Sequence, residues 1–203
     1  MNSIRFMGKH IYPSKIVCVG RNYLAHVNEL ANEIAEQPVI FIKPNSSIAS
    51  ELHADKSNVI HYEGEICLLI MAGEIAGIGF GLDLTKRQVQ AELKFRGLPW
   101  ERAKAFDRSA LFSDFVAYRG NFHALRMELY INDRLVQQGA YELMLHKPES
   151  ILAEVKGFLS LEDGDVIMTG TPAGVGPLVV GDEYVGKIYA NTQLLVAAGW
   201  RVK

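Results

Sequence analysis

Apolar residues in this chain fall into short runs broken by glycine, proline and charged turns, a pattern that favours strands over helices. Lys15 to Gly20 (KIVCVG) reads as a buried strand. Leu24, Val27, Leu30, Ala31 and Ile34 then recur at helical spacing, predicting a helix of about three turns that runs to about Ala35, with Asn22 as its N-cap. Pro38 stops that helix, and Val39 to Lys43 (VIFIK) reads as a second strand ended by Pro44. Val59 to Met71 predicts one long strand, and a fourth surrounds Ile78 to Leu82. Thr85 to Arg96 reads as a helix with Val89 and Leu93 inward. Leu125 to Ile131 alternates strictly and meets Asn132-Asp133, a hairpin-type turn into Arg134, Leu135 and Val136. Glu149 to Leu159 carries Ile151, Leu152, Val155, Phe158 and Leu159 at helical spacing. The rest is a strand over Asp165 to Thr169, a Gly/Pro-rich loop and several short β segments.

Strands and helices do not alternate regularly, which argues against a doubly wound sheet. The expected fold is α+β and β-dominated, built on a mixed β-sheet. The 203 residues suit a single catalytic domain, with about 1–14 as a short N-terminal extension. The formal charge of -2 gives no footprint for nucleic acid or an anionic membrane. No apolar run approaches the ~20 residues of a membrane helix, and MNSIRFMGKH lacks the apolar core of a secretory signal. Cys18 and Cys67 both sit in apolar runs, as buried free thiols do, so a reducing, cytoplasmic setting is expected.

The candidate chemistry lies in acids placed where apolar residues belong. Glu63 and Glu65 are two apart in a predicted strand, so they share a face with Cys67 and Leu69. Two carboxylates there repel and are costly to bury, and a divalent cation resolves both problems. Asp83, just after the next strand, can return to the same site. Three hard oxygen ligands suit Mg²⁺ or Mn²⁺. The same spacing also suits a solvated strand edge with two surface glutamates.

His26 and Glu29, three apart on the first helix, share a face. They suit a carboxylate-held general base, but taken alone they fit better a surface pair with no role, since such pairs are frequent on exposed helix faces. Arg21 follows a strand and can fork onto a substrate carboxylate; Lys104 can share developing enolate charge. Either can also be an ordinary surface cation. Residues 170–177 (GTPAGVGP) lack the Lys-Ser/Thr ending of a phosphate loop. They form a turn-rich loop that is either structural or able to bind a carboxylate through its amides and the Thr171 hydroxyl.

Six blocks in order, KIVCVGRNYLAHVNEL, PVIFIKP, HYEGE, GLDLTKRQVQ, GLPWERAKAFD and GDVIMTGTPAGVGP, span residues 15–177. Together they resemble the fumarylacetoacetate hydrolase family, and within it the short acylpyruvate hydrolase branch. The resemblance implies a β-rich roll and a homodimer. It implies Mg²⁺ or Mn²⁺ on Glu63, Glu65 and Asp83, and a water-activating dyad of His26 and Glu29 on a segment that orders with substrate. Lys104 matches the family's active-site lysine, and Arg21, Gln90 and Thr171 match positions lining its substrate pocket. Two departures stand out: Tyr62 where this branch has histidine before the first glutamate, and Leu111 where a proline is frequent.

The reaction expected from the resemblance is cleavage of the C–C bond of an acylpyruvate-type 2,4-dioxo acid, such as acetylpyruvate or fumarylpyruvate. Oxaloacetate decarboxylation uses the same enolate chemistry, as does tautomerisation or isomerisation of a related dienoate of the homocatechuate pathway. A fold that has kept its shape but lost its chemistry is the non-enzymatic alternative.

Overall fold

The computed structural model describes residues 1–33, 36–55 and 57–203. In chain order its elements are β1 (Ile4–Phe6), β2 (Lys9–Ile11), β3 (Lys15–Gly20), α1 (Leu24–Glu29), β4 (Val39–Pro44), β5 (Ile48–Ala49), β6 (Ile60–Tyr62) and β7 (Gly64–Met71). There follow β8 (Glu74–Asp83), β9 (Thr85–Lys86), α2 (Arg87–Phe95), α3 (Glu101–Lys104), β10 (Ala110–Phe112), β11 (Val116–Ala117), β12 (Leu125–Ile131) and β13 (Arg134–Ala140). The last are α4 (Pro148–Phe158), β14 (Val166–Met168), β15 (Gly176–Pro177), β16 (Glu183–Ala190) and β17 (Gln193–Arg201).

The main sheet runs β4-β3-β14-β7-β8-β10-β5, with β11 also on β8. It is mixed: β14 pairs β3 and β10 pairs β5 in parallel, while the other neighbours are antiparallel. A four-stranded sheet, β13-β12-β16-β17, packs on it. The fold is thus β-dominated and mixed, as the short apolar runs and the lack of regular strand–helix alternation imply.

Strand β7 explains how the core meets the site. Ile66, Leu68 and Ile70 point into the core shared with Met127, Leu129 and Tyr184 of the second sheet. Cys67 and Leu69 point to the other face, against Ile16, Cys18 and Met168. Both faces are covered, so the strand reads as a continuous apolar run. Glu65 shares the Cys67 face and is 1% exposed. Both cysteines are buried free thiols. Among the described residues no helix is long and apolar enough to cross a membrane.

Several expectations change. The long strand over 59–71 is two: β6 belongs to a small sheet with β9 and β15, β7 to the main sheet, and the break falls at Glu63. The first helix stops at Glu29, because Leu30 leaves helical geometry and Ala31 has φ 49°. Its expected continuation to Ile34 and Ala35 lies outside the described residues. Val27 is fully buried, but Leu24 is exposed. Asn22 is not the N-cap; Tyr23 holds that position without a side-chain bond. The second helix starts at Arg87, since Thr85 and Lys86 pair with β6. Its buried residue is Gln90, with Val89 and Leu93 only half-buried. Phe158 ends α4 facing solvent. The terminal β segments are two long antiparallel strands, β16 and β17, joined by a tight turn at Asn191.

Candidate metal and acid-base centre

The β7–β8 hairpin brings the three acids together. Gly64 pairs with Leu82 and Glu65 with Gly81. One step further the Asp83 amide donates to the Glu63 carbonyl at 2.8 Å. Glu63, Glu65 and Asp83 therefore offer carboxylate oxygens within 4.8 Å of one another, all buried. At an effective dielectric of about 20, two charges at that separation repel by about 3–4 kcal/mol. The solvated-edge alternative is excluded by this burial.

Cations answer the acids unequally. Lys104 Nζ donates to Glu63 Oε2 and Asp83 Oδ2, each at 2.7 Å, and to Thr85 Oγ1 at 2.6 Å. Burial alone would lower the Lys104 pKa, but Asp83 and Glu63 outweigh it and hold the ammonium above its ordinary range. Arg87 pairs with Glu63 Oε1 and donates to Gln90 Oε1 at 2.7 Å. Burial would raise the Glu63 carboxyl, yet Lys104, Arg87 and His26 keep it well below the usual range. Lys43, fully buried, stands 2.9 Å from Asp83 Oδ1 and donates to the carbonyls of Leu84, Lys104 and Ser109. Among the described residues Glu65 forms no ion pair. Its Oε2 accepts the Gly170 amide at 2.6 Å, while burial, then Asp83 and Glu63, push its carboxyl well upward.

A divalent ion fits this set. Among the described residues Asp83 Oδ1 is buried without a well-directed hydrogen bond, and Glu65 has no ion-pair partner, with only the more distant Lys104 acting on its charge. The donors are all hard oxygens, as Mg²⁺ and Mn²⁺ require.

The backbone around the acids leaves little freedom. A Cβ on Gly64 would come within 3.0 Å of both Gln137 Oε1 and Phe80 Cζ. The Gly64 amide instead donates to Gln137 Oε1 at 2.9 Å. Gly170 has φ +102°, and a Cβ there would sit 2.7 Å from Asn22 Cβ. Asn22 explains that closeness. Its Nδ2 donates to the carbonyls of Thr169 and His146, and its Oδ1 accepts from the His146 amide. One side chain thus ties the start of α1 to the strand end that presents the Gly170 amide.

His26 is buried, and its Nδ1 lies 3.0 Å from Glu29 Oε2. Glu29 Oε1 accepts the Gly174 amide at 2.9 Å. The 170–177 loop therefore meets both Glu65 and Glu29. A cavity of about 30 Å³ is lined by His26, Glu63 and Lys104 together with Arg21, Gln90, Lys94, Trp100 and Phe41. Lys104 Nζ also lies 5.1 Å from the centre of the Phe41 ring.

Eight of the nine expected site residues gather at this centre. Thr171 stands behind it: its hydroxyl donates to the Gly64 carbonyl at 2.9 Å and accepts from Gln137 Nε2 at 2.9 Å. Lys43, Arg87 and Lys94 went unrecognised in the sequence. Lys43 left a trace as a charge inside the apolar run VIFIK, and Arg87 lies three residues before Gln90 on one helix face. Tyr62 packs edge-on against Tyr184, and its hydroxyl lies under Gly176, beside the loop that holds Glu29. Leu111 is a fully buried strand residue of β10.

The chain is similar to an Escherichia coli (strain K12) protein named oxaloacetate tautomerase YcgM, 41% identical over 192 residues covering 85% of this chain and 87% of that protein. Among solved structures it matches one from Oleispira antarctica described as a candidate fumarylacetoacetate isomerase/hydrolase (TM-score 0.95, 39% identity, 100% of both chains). It also matches fumarylpyruvate hydrolase from Pseudomonas aeruginosa in complex with Mn²⁺ and pyruvate (TM-score 0.87, 27% identity, 99% and 95% of the chains). The family model for the fumarylacetoacetate hydrolase C-terminal domain matches residues 15–203. The chain belongs to the fumarylacetoacetate hydrolase family.

Proposed function

We propose that this chain is a divalent-metal-dependent enzyme that moves a proton at the carbon beside the ketone of a 2-oxo acid of the oxaloacetate type, interconverting its keto and enol forms. The observation that carries the reading is a cluster of three buried carboxylates answered by an ammonium, with that ammonium, Glu63 and a carboxylate-held imidazole lining one small cavity. The name of the Escherichia coli relative supports the choice of substrate.

Glu63, Glu65 and Asp83 would hold Mg²⁺ or Mn²⁺, which supplies Lewis acidity toward a ketone and carboxylate. Lys104 keeps its proton and shares negative charge developing on the ketone oxygen. Glu29 holds His26 at Nδ1, which leaves Nε2 to take and return the substrate proton. The Gly174 amide fixes Glu29, so the imidazole cannot turn freely. Arg21 and Gln90 face the substrate from the cavity wall. Thr171 would have to release the Gly64 carbonyl to reach a ligand.

The test is the rate of enol–keto exchange of oxaloacetate, followed by ultraviolet absorbance. Acceleration that needs Mg²⁺ or Mn²⁺ and vanishes with chelator is expected. No acceleration above the metal-only control would overturn the proposal.

A second reading, C–C hydrolysis of an acylpyruvate, is favoured by the His26–Glu29 pair, which equally suits activation of water. In it His26 takes a proton from water, the oxygen adds to the distal carbonyl, and the bond breaks to give a carboxylic acid and pyruvate. Decarboxylation of oxaloacetate and isomerisation of a dienoate use the same residues. Initial rates on acetylpyruvate, fumarylpyruvate and oxaloacetate separate these. A homodimer and a cytoplasmic setting complete the proposal, the first from the family resemblance and the second from the two buried free thiols.

A further inference from the structure

We propose that Arg21 and Lys94 form a receptor for a second carboxylate of the substrate, so that the site selects 2-oxo diacids over 2-oxo monoacids. This deepens the function proposed above and rests on it.

The cations of the cavity are engaged unequally. Lys104 and Arg87 are each committed to carboxylates of the acidic cluster. Arg21 and Lys94 line the same cavity, yet among the described residues neither has a carboxylate partner. Lys94 Nζ meets only the neutral Asn32 Oδ1, and Arg21 Nη1 reaches the Glu33 carbonyl at 3.4 Å. Arg21 Nε is buried and makes no hydrogen bond at all. A buried guanidinium nitrogen without a partner is costly unless a ligand supplies one. Arg21 is also held at φ 58°, the left-handed region that a side chain other than glycine or asparagine seldom adopts.

Like charge reinforces the point. Burial lowers the Lys94 pKa, and Arg21 and Arg87 lower it further. Cations crowded without acids attract an anion, and here the anion must share a cavity with Glu63 of the carboxylate cluster. One end of a 2-oxo acid belongs at Glu63, Glu65 and Asp83. The far end then faces Arg21 and Lys94, where a carboxylate is matched and a methyl group is not.

The probes are oxaloacetate and 2-oxobutanoate, which differ by a carboxylate in place of a methyl group. Their dissociation constants are measured by competition on the Mn²⁺-loaded enzyme, in wild type, Lys94→Met and Lys94→Arg. Wild type should prefer the diacid. Lys94→Met should weaken oxaloacetate by about 10- to 100-fold while 2-oxobutanoate stays unchanged, and Lys94→Arg should recover most of the loss. Equal weakening of both ligands would overturn the receptor and make Lys94 a brace for the Asn32 segment. No change in either would overturn it as well. If wild type with Mn²⁺ binds neither 2-oxo acid, the proposed function itself fails. Monoacid binding without a diacid preference removes the receptor alone.

Discussion

Lys104 Nζ lies 2.7 Å from Asp83 Oδ2, so a protein ammonium neutralises part of the acidic cluster from within. Without it, Glu63 and Asp83 face each other with fewer countercharges. Lys104→Met should therefore destabilise the metal-free protein by about 3–5 kcal/mol. Mn²⁺ should restore much of that loss, because the ion takes over the countercharge. Thermal unfolding with chelator and with Mn²⁺ checks this: the Mn²⁺-induced rise in Tm should be larger for the variant than for wild type. Equal rises would mean that ion and ammonium do not answer the same charges.

His26 is placed to carry the proton, and Glu29 to hold it there. His26→Gln should keep the fold and the Mn²⁺ affinity yet lower turnover by about 10²- to 10⁴-fold. Circular dichroism, metal titration and the enol–keto assay measure the three separately. Turnover near the wild-type rate would assign the base to another group.

Asn22 ties segments that lie more than a hundred residues apart in the chain. Asn22→Ala removes the partner of the fully buried Thr169 carbonyl and of the half-buried His146 amide and carbonyl. A loss of about 2–4 kcal/mol is expected from the cost of unsatisfied buried groups, read from urea denaturation. A loss below 1 kcal/mol would indicate that water replaces the side chain.

Asp165 provides the pH-dependent element of stability. Burial would raise its carboxyl, but Lys15 and the backbone N–H of Glu162, together with Ser14, hold it below its ordinary value. A folded-state value below the unfolded one makes stability that is present above about pH 3.9 and lost as pH falls through the folded value. Asp165→Asn should unfold more easily than wild type at neutral pH, and the gap should narrow as pH falls below about 4. A gap independent of pH would show that the carboxylate charge is not what matters.

How far the chain could be read depends on the range of the forces involved. Glu65, Cys67 and Leu69 share one face of one strand, and strand alternation makes that visible locally. The hairpin at Asn132-Asp133 is local too, with both residues at positive φ. Glu63 reads locally as strand, because the β6–β7 break depends on pairing with β9, β15 and β8, which folding alone brings together. Asn22 looked like a helix cap since its true partners, Thr169 and His146, lie far along the chain. Lys43 and Arg87 were missed for the same reason: their roles rest on carboxylates and carbonyls brought close only by folding.

The central claim is that Glu63, Glu65 and Asp83 together bind one divalent cation on which turnover depends. Calorimetric titration of Mn²⁺ into wild type and Glu65→Gln, with each protein shown to be folded, tests it most directly. One ion per chain is predicted for wild type, with binding and enol–keto exchange lost together in the variant. A folded Glu65→Gln protein that binds Mn²⁺ as tightly as wild type and still turns over would contradict it.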